Sequence, residues 1–329
     1  MNKSFTPMMQ QYLQMKEVNP DAVLFFRLGD FYEMFFEDAI EISKVLDITL
    51  TGRDAGQEER VPMCGVPYHA AEAYISKLVA KGYRVAICEQ VEDPKEAKGL
   101  VRRDIVRIVT PGTANLSPLL EEKRNNYLVC IDWQDLSFSL AAMDVSTGAF
   151  SCTTYQGEDA GRQAKNELTR LNPSEVIPWH DRELDELILL CESLNIHLTQ
   201  LQSEVKKVIK ETIQRDEEFF HTIPVEVRQG SLPEVCQALR WYVENTTKLQ
   251  SIRWMSPEFY QLDWHMVLDT STRRSLELTQ TMRDNQYQGS LLWVMDRTKT
   301  SSGGRLLHQW VLQPLTHRAQ IEHRLTAVQ

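Results

Sequence analysis

A chain of 329 residues exceeds what one ordinary hydrophobic core organises, so two or three domains are expected. With 42% hydrophobic and 25% charged residues, its composition excludes disordered and fibrous classes, and no apolar run approaches the roughly 20 residues that cross a bilayer. A net charge of −10 argues against a protein that coats nucleic acid with its whole surface, while leaving room for a local basic stripe.

Thr6 followed by Pro7 starts a helix, with a hydroxyl at the N-cap and a first helical residue that needs no N–H. Met9, Tyr12, Leu13 and Met15 give that helix an apolar face. Residues 22–28 read as a strand ending at Gly29-Asp30, residues 35–46 as an amphipathic helix, and residues 48–51 as a short strand. A loop rich in Gly, Pro and charge is expected through Pro67. Residues 70–81 form a helix stopped by Gly82, and residues 83–88 and 105–109 form strands. This first unit, residues 1–112, reads as a small mixed α/β domain.

Residues 113–125 read as a turn-rich linker. Three strands follow in quick succession at 127–133, 137–144 and 148–155, with Ser146-Thr147-Gly148 as turn chemistry. A helix (158–171), a strand at Val176-Ile177, a helix (183–190) and a last strand at 196–198 complete an order expected of a ribonuclease-H-like fold. That middle domain is assigned residues 126–255, its later part charged and mostly helical. From about Met266 the pattern is helical throughout, so residues 256–329 are read as an all-α domain. The apolar positions Ile321, Leu325 and Val328 repeat at helical spacing to the last residue, and the chain is expected to be a piece of a longer protein.

The six cysteines (Cys64, Cys88, Cys130, Cys152, Cys191, Cys236) have no metal-ligand or redox spacing, and most sit in apolar runs; they read as reduced, buried thiols. The histidines are dispersed, so no metal site is expected. The start of the chain has no apolar stretch of the signal-peptide kind, and a cytoplasmic location is expected. Within 95–107, Lys95, Lys98, Arg102, Arg103 and Arg107 outnumber Glu96 and Asp104, making a candidate phosphate-binding window.

The segment Gly29-Asp30-Phe31-Tyr32-Glu33-Met34-Phe35 places an aromatic ring and a carboxylate two residues apart. In extended backbone, positions i and i+2 project to the same side, so Phe31 and Glu33 can serve one flat ligand. The ring would stack, and the carboxylate would accept a hydrogen bond from the ligand's edge.

Phe31-Tyr32-Glu33 in this setting resembles the mismatch-reading motif of the MutS family of DNA mismatch-recognition proteins. Val61-Pro62-Met63-Cys64-Gly65-Val66-Pro67-Tyr68-His69-Ala70, Val85-Ala86-Ile87-Cys88-Glu89-Gln90 and Val106-Arg107-Ile108-Val109-Thr110-Pro111-Gly112-Thr113 are similar to further signatures of that family. So are residues 268–278 and Asp296-Arg297-Thr298-Lys299-Thr300 with Gly303-Gly304-Arg305-Leu306-Leu307.

The resemblance implies a mismatch-binding domain, a ribonuclease-H-like connector and the beginning of a helical lever domain. It implies that Phe31 wedges beside a mispaired base from the minor groove of kinked duplex DNA, and that Glu33 hydrogen-bonds the same base. Arg103 and Arg107 become candidates for backbone contacts, and Met63, Gly65, Pro67 and His69 for a loop near the DNA. Implied partners are double-stranded DNA with mismatches or small loops, MutL through the connector, and a second copy in the full-length protein, in the bacterial cytoplasm at the nucleoid. ATP and Mg2+ are implied only for the full-length family. No Gly-x-x-x-x-Gly-Lys-Ser/Thr occurs, and Gly303-Gly304 is followed by Arg305, so no enzymatic activity and no cofactor is expected of this chain.

Two other readings compete. Asp132, Asp144 and Glu175 near strand ends suggest a metal-dependent nuclease on the middle domain, and the whole chain is alternatively a protein-docking module without mismatch preference.

Overall fold

The computed structural model describes residues 5–56, 59–92, 99–114, 125–213, 218–221, 223–228, 230–248, 255–266 and 268–329. The chain forms two compact units: residues 1–119 with 243–252, and residues 120–242 with 253–329.

The first unit opens with α1 (Pro7–Val18), β1 (Ala22–Leu28), β2 (Phe31–Phe35) and α2 (Phe36–Leu46). It continues with β3 (Thr51–Arg53), β4 (Val61–Pro67), a 3-10 turn (Tyr68–Ala70), α3 (Ala71–Val79), β5 (Arg84–Gln90) and β6 (Arg103–Val109). These strands make one sheet in the order β3-β4-β2-β1-β5-β6, with β1 and β5 parallel and every other pair antiparallel. Alternation along the strands divides the core between the two faces. Phe25, Tyr32, Met34, Cys64 and Val66 pack with Ile42 of α2 and Leu78 of α3. On the other face, Leu24, Phe26, Phe35, Ala86 and Cys88 pack with Met9 and Tyr12 of α1. Tyr12 meets the edges of Phe26 and Phe35 at centroid distances of 5.5 and 5.0 Å.

Three expectations change here. The stretch through Pro67 is not a loop: its last seven residues are β4, between β3 and β2. Prolines and glycines suggested a break, but the two prolines stand where no N–H is needed by β2. Pro62 lies one residue past the last β2 pair, Phe35 with Met63, and Pro67 closes the strand opposite Phe31. The short strand expected at 48–51 forms instead at Thr51–Arg53, and α2 begins at Phe36 because Phe35 is still paired in β2.

In the second unit, β7 (Tyr127–Gln134), β8 (Ser137–Asp144) and β9 (Ala149–Gln156) form an antiparallel meander. After α4 (Ala160–Leu171), β10 (Glu175–Pro178) pairs parallel with β7. After α5 (Leu184–Leu194), β11 (His197–Leu198) pairs parallel with β10. Read from β9, the order is 3-2-1-4-5, the ribonuclease-H-like arrangement. α6 (Ser203–Ile213) and α7 (Leu232–Thr247) follow, and β12 (Glu258–Phe259) adds to β9, carrying this sheet past residue 255. Val129, Ile131 and Trp133 of β7 pack on Ala164 and Leu168 of α4 and on Leu187 of α5.

The remaining elements are helical: α8 (Thr270–Ser275), α9 (Leu291–Met295), α10 (Ser301–Leu312) and α11 (Arg318–Val328). The first three begin with oxygens that accept from the helix's own N–H groups: Asp269 from Thr272, Ser290 from Trp293 and Thr300 from Gly303. The helical pattern expected throughout from about Met266 is interrupted after Ser275, where α8 ends. Residues 253–329 fall in the same compact unit as the connector sheet. Most of the linker expected at 113–125, namely residues 115–124, lies outside the described residues.

Candidate nucleic-acid interface

Phe31 and Glu33 both lie on β2, and the strand does what the i, i+2 spacing requires: Tyr32 between them is buried, Phe31 is 47% exposed and Glu33 is partly exposed. Their face of the sheet is the one covered by α1. Phe26 pairs with Glu33 and Leu28 with Phe31, so the covered region ends at Phe35 and Phe26 while Glu33 and then Phe31 emerge beyond it.

The end of this hairpin is held from several sides. Gly29 takes a φ of +57°, a left-handed conformation natural for glycine, and lets β1 fold back into β2. Tyr68 N–H donates to the Asp30 carbonyl at 2.9 Å. Arg27 Nε donates to the Gly29 carbonyl at 2.6 Å, while its guanidinium lies 3.8 Å from the centroid of the Tyr68 ring. Arg27 also stands 3.9 Å from Glu89, whose carboxylate accepts the Tyr32 hydroxyl. Burial, followed by the Glu89 hydrogen bond, pushes that phenol above its ordinary range, so it stays a donor. Phe31 therefore stands on a braced turn.

β4 forms the other flank. Pro67 is opposite Phe31, Gly65 opposite Glu33 and Met63 opposite Phe35; His69 follows on the 3-10 turn and is exposed. A Cβ at Gly65 would meet the Tyr32 carbonyl at 3.2 Å and Glu33 Cγ at 3.4 Å, so glycine leaves the Glu33 chain its space. Pro67 and Gly65 are thus brought beside Phe31 and Glu33, while Met63 lies beside Phe35 and His69 on the following turn, all on a strand and turn rather than on a loop.

The two arginines are not brought together. Arg103 is 7% exposed and serves the fold: Nε donates to the Arg27 carbonyl at 2.8 Å, Nη1 to Val101 O and Gln11 Oε1, and the guanidinium faces the Phe26 ring at 5.0 Å. Burial lowers its pKa from the usual arginine value. Arg103 is thus committed within the fold, as a brace beneath the hairpin. Arg107 is partly exposed on the opposite face, because β6 carries a bulge: Ile87 pairs with Arg107 but Cys88 pairs with Ile105, leaving Val106 unpaired. Lys95 and Lys98 lie outside the described residues. The residue that sequence reasoning missed is Arg53 of β3, which forms an ion pair with Glu33. One strand, β4, separates them in the pairing order, and no local spacing signals that contact.

The carboxylates of the nuclease reading do not converge. Along β7, Asp132 lies four residues from Leu128, the partner of Glu175, roughly 13 Å of strand. Each is engaged separately: Asp132 with His180 Nδ1 at 2.8 Å and Gln134 at 2.8 Å, Asp144 with the Ser146 hydroxyl at 2.6 Å and Asn125 at 3.0 Å. Glu175 accepts from Thr199 at 2.7 Å and Tyr242 at 2.5 Å. Among the described residues no three His, Cys, Asp or Glu side chains are grouped to hold a metal ion, and no helix is long and apolar enough to cross a membrane.

Residues 6–117 match MutS domain I, residues 126–253 match MutS domain II and residues 271–329 match MutS domain III, in that order along the chain. The chain belongs to the MutS family. It is 46% identical to the DNA mismatch repair protein MutS of Acetivibrio thermocellus over 331 residues, covering 99% of this chain and 38% of that protein. The corresponding proteins of Desulforamulus reducens and Geobacillus sp. (strain WCH70) are each 45% identical, again over 99% of this chain and over 38% and 36% of their own lengths. The chain thus spans less than two fifths of these MutS relatives.

Proposed function

We propose that this chain recognises mispaired or unpaired bases in duplex DNA by inserting Phe31 from the minor groove, with Glu33 hydrogen-bonding the base beside it. The observation that carries this reading is the side-by-side projection of an exposed Phe31 and a partly exposed Glu33 from one braced strand end, on a MutS-family chain.

The physics is that of a stiffness test. An inserted ring must unstack a base step, which costs a few kcal/mol and less where pairing is already faulty. A mispaired site is also easier to kink, so deformability itself discriminates. Glu33 repels phosphates on sound duplex and gains a hydrogen bond only where a base edge is displaced. The MutS relatives are named as DNA mismatch repair proteins, and the same role is proposed here, in the bacterial cytoplasm at the nucleoid. MutL contact is assigned to the connector, residues 126–255, and ATP and Mg2+ use and homodimer formation to the full-length family members.

The test is a titration of this chain against a duplex with one G·T pair and its matched counterpart. Phe31→Ala removes one stacking contact, about 1–3 kcal/mol, and the preference for the mispaired duplex is expected to vanish. An unchanged preference overturns the reading. Incubation with magnesium or manganese is expected to leave both duplexes uncut.

A further inference from the structure

Glu33 is not a free carboxylate. It is paired with Arg53, and the two side chains differ in access: Glu33 is 16% exposed and Arg53 37%. We infer that Arg53 is a specificity-determining counter-ion, which holds Glu33 in the DNA-free protein and leaves it for a backbone phosphate when a mispair offers Glu33 a replacement donor. The inference rests on the mismatch-reading proposal above and deepens it by naming the residue that sets how strongly Glu33 discriminates.

The geometry supports an exchange rather than a fixed brace. Arg53 belongs to β3, a three-residue strand at the sheet edge, and is the more exposed partner. Its fork of donors matches a phosphate as well as a carboxylate, so DNA competes directly for it. Arg103, the neighbouring cation on this face, is buried and committed to Arg27, Val101 and Gln11. Gly65 leaves the Glu33 chain unobstructed on the β4 side.

The consequence for selectivity follows from what each duplex returns. On sound DNA, Glu33 that loses Arg53 faces phosphates and receives nothing, so the pair stays closed and nearly neutral. At a displaced base, Glu33 gains a hydrogen bond while Arg53 gains a phosphate, and both charges remain satisfied. Arg53 therefore softens the repulsion that Glu33 alone would exert on matched DNA.

The experiment is a double-mutant cycle with matched and G·T duplexes at fixed salt, using the chain, Arg53→Gln, Glu33→Ala and the double variant. Arg53→Gln is expected to weaken both complexes but to raise the mispair-to-match affinity ratio roughly two- to five-fold, the size of a partly exposed ion pair. In the Glu33→Ala background the same change is expected to leave the ratio unaltered. Arg53→Lys, which keeps the charge, is expected to restore the ratio and guards against a folding defect. An equal loss on both duplexes in both backgrounds, with Phe31→Ala still abolishing preference, overturns the exchange and keeps the parent reading. A preference that survives Phe31→Ala, or no binding to either duplex, overturns both.

Discussion

At the scale of single residues, the candidate site shows what a linear pattern carries and what it omits. The i, i+2 rule places Phe31 and Glu33 on one side because it needs only extended backbone, which β2 supplies. It says nothing of Arg53, whose contact with Glu33 depends on the order β3-β4-β2, a property of the whole sheet. Gly65 reads in the sequence as part of a Gly- and Pro-rich loop near the DNA, whereas on β4 it leaves room beside Glu33. Its substitution gives a direct check: Gly65→Val adds a branched side chain 3.2 Å from the Tyr32 carbonyl and beside Glu33. A loss of about 1–3 kcal/mol in urea denaturation is expected, as for other overpacked sites. Stability equal to that of the parent chain would show that β4 yields without cost.

At the scale of elements, long periodic segments were readable and short pairings were not. Strands β1, β7 and β8 follow their apolar runs, while β4 was hidden by its prolines and β12 by its length. The bulge in β6 has an identifiable cause in the interval between Ile105 and Ile108. Both are buried on the α1 face, yet three residues is an odd interval, so regular alternation cannot point both inward. Leaving Val106 unpaired corrects the phase and sends Arg107 to the opposite face. In the second unit, Glu167 and Arg170 of α4 form a buried pair joined by the Tyr260 hydroxyl. Burial alone would raise the Glu167 pKa, but the Arg170 charge and the hydrogen bonds from Arg170 and Tyr260 outweigh it and hold the carboxyl below its usual range. A carboxyl lowered on folding contributes stability that is complete above its unfolded value, near 4.3, and is lost as pH falls through the folded value. Arg170→Met leaves Glu167 buried without its counter-charge, and a loss of about 3–5 kcal/mol at neutral pH is expected. Burial then raises the Glu167 pKa, so the deficit should begin to shrink above the unfolded value, as falling pH protonates the stranded carboxyl. Thermal or urea unfolding across pH 3–7 checks both the size and the sign.

At the scale of the whole molecule, composition and order pointed to several domains, and the ribonuclease-H-like connector followed from element order alone. The grouping of residues 256–329 with that connector did not, because it rests on tertiary contacts. The Thr153 hydroxyl donates to the Tyr260 carbonyl at 2.8 Å, and Arg273 donates to the Thr169 carbonyl at 2.9 Å. The cysteines are a property spread across both units: all six are free and buried. Burial pushes the Cys64 and Cys88 thiols up to about 12 and Cys191 up to about 11, and raises Cys130 and Cys236 as well. The native chain is therefore expected to react slowly with a disulfide reagent such as DTNB and to release six thiols on denaturation; rapid release from the native chain would contradict this packing. A practical asset follows from such silent sulfur. A single new thiol at exposed Asp30, whose role in the hairpin turn is carried by its backbone carbonyl, would be the fast target for a maleimide dye. The fluorophore would sit one residue from Phe31 with all the native cysteines left in place.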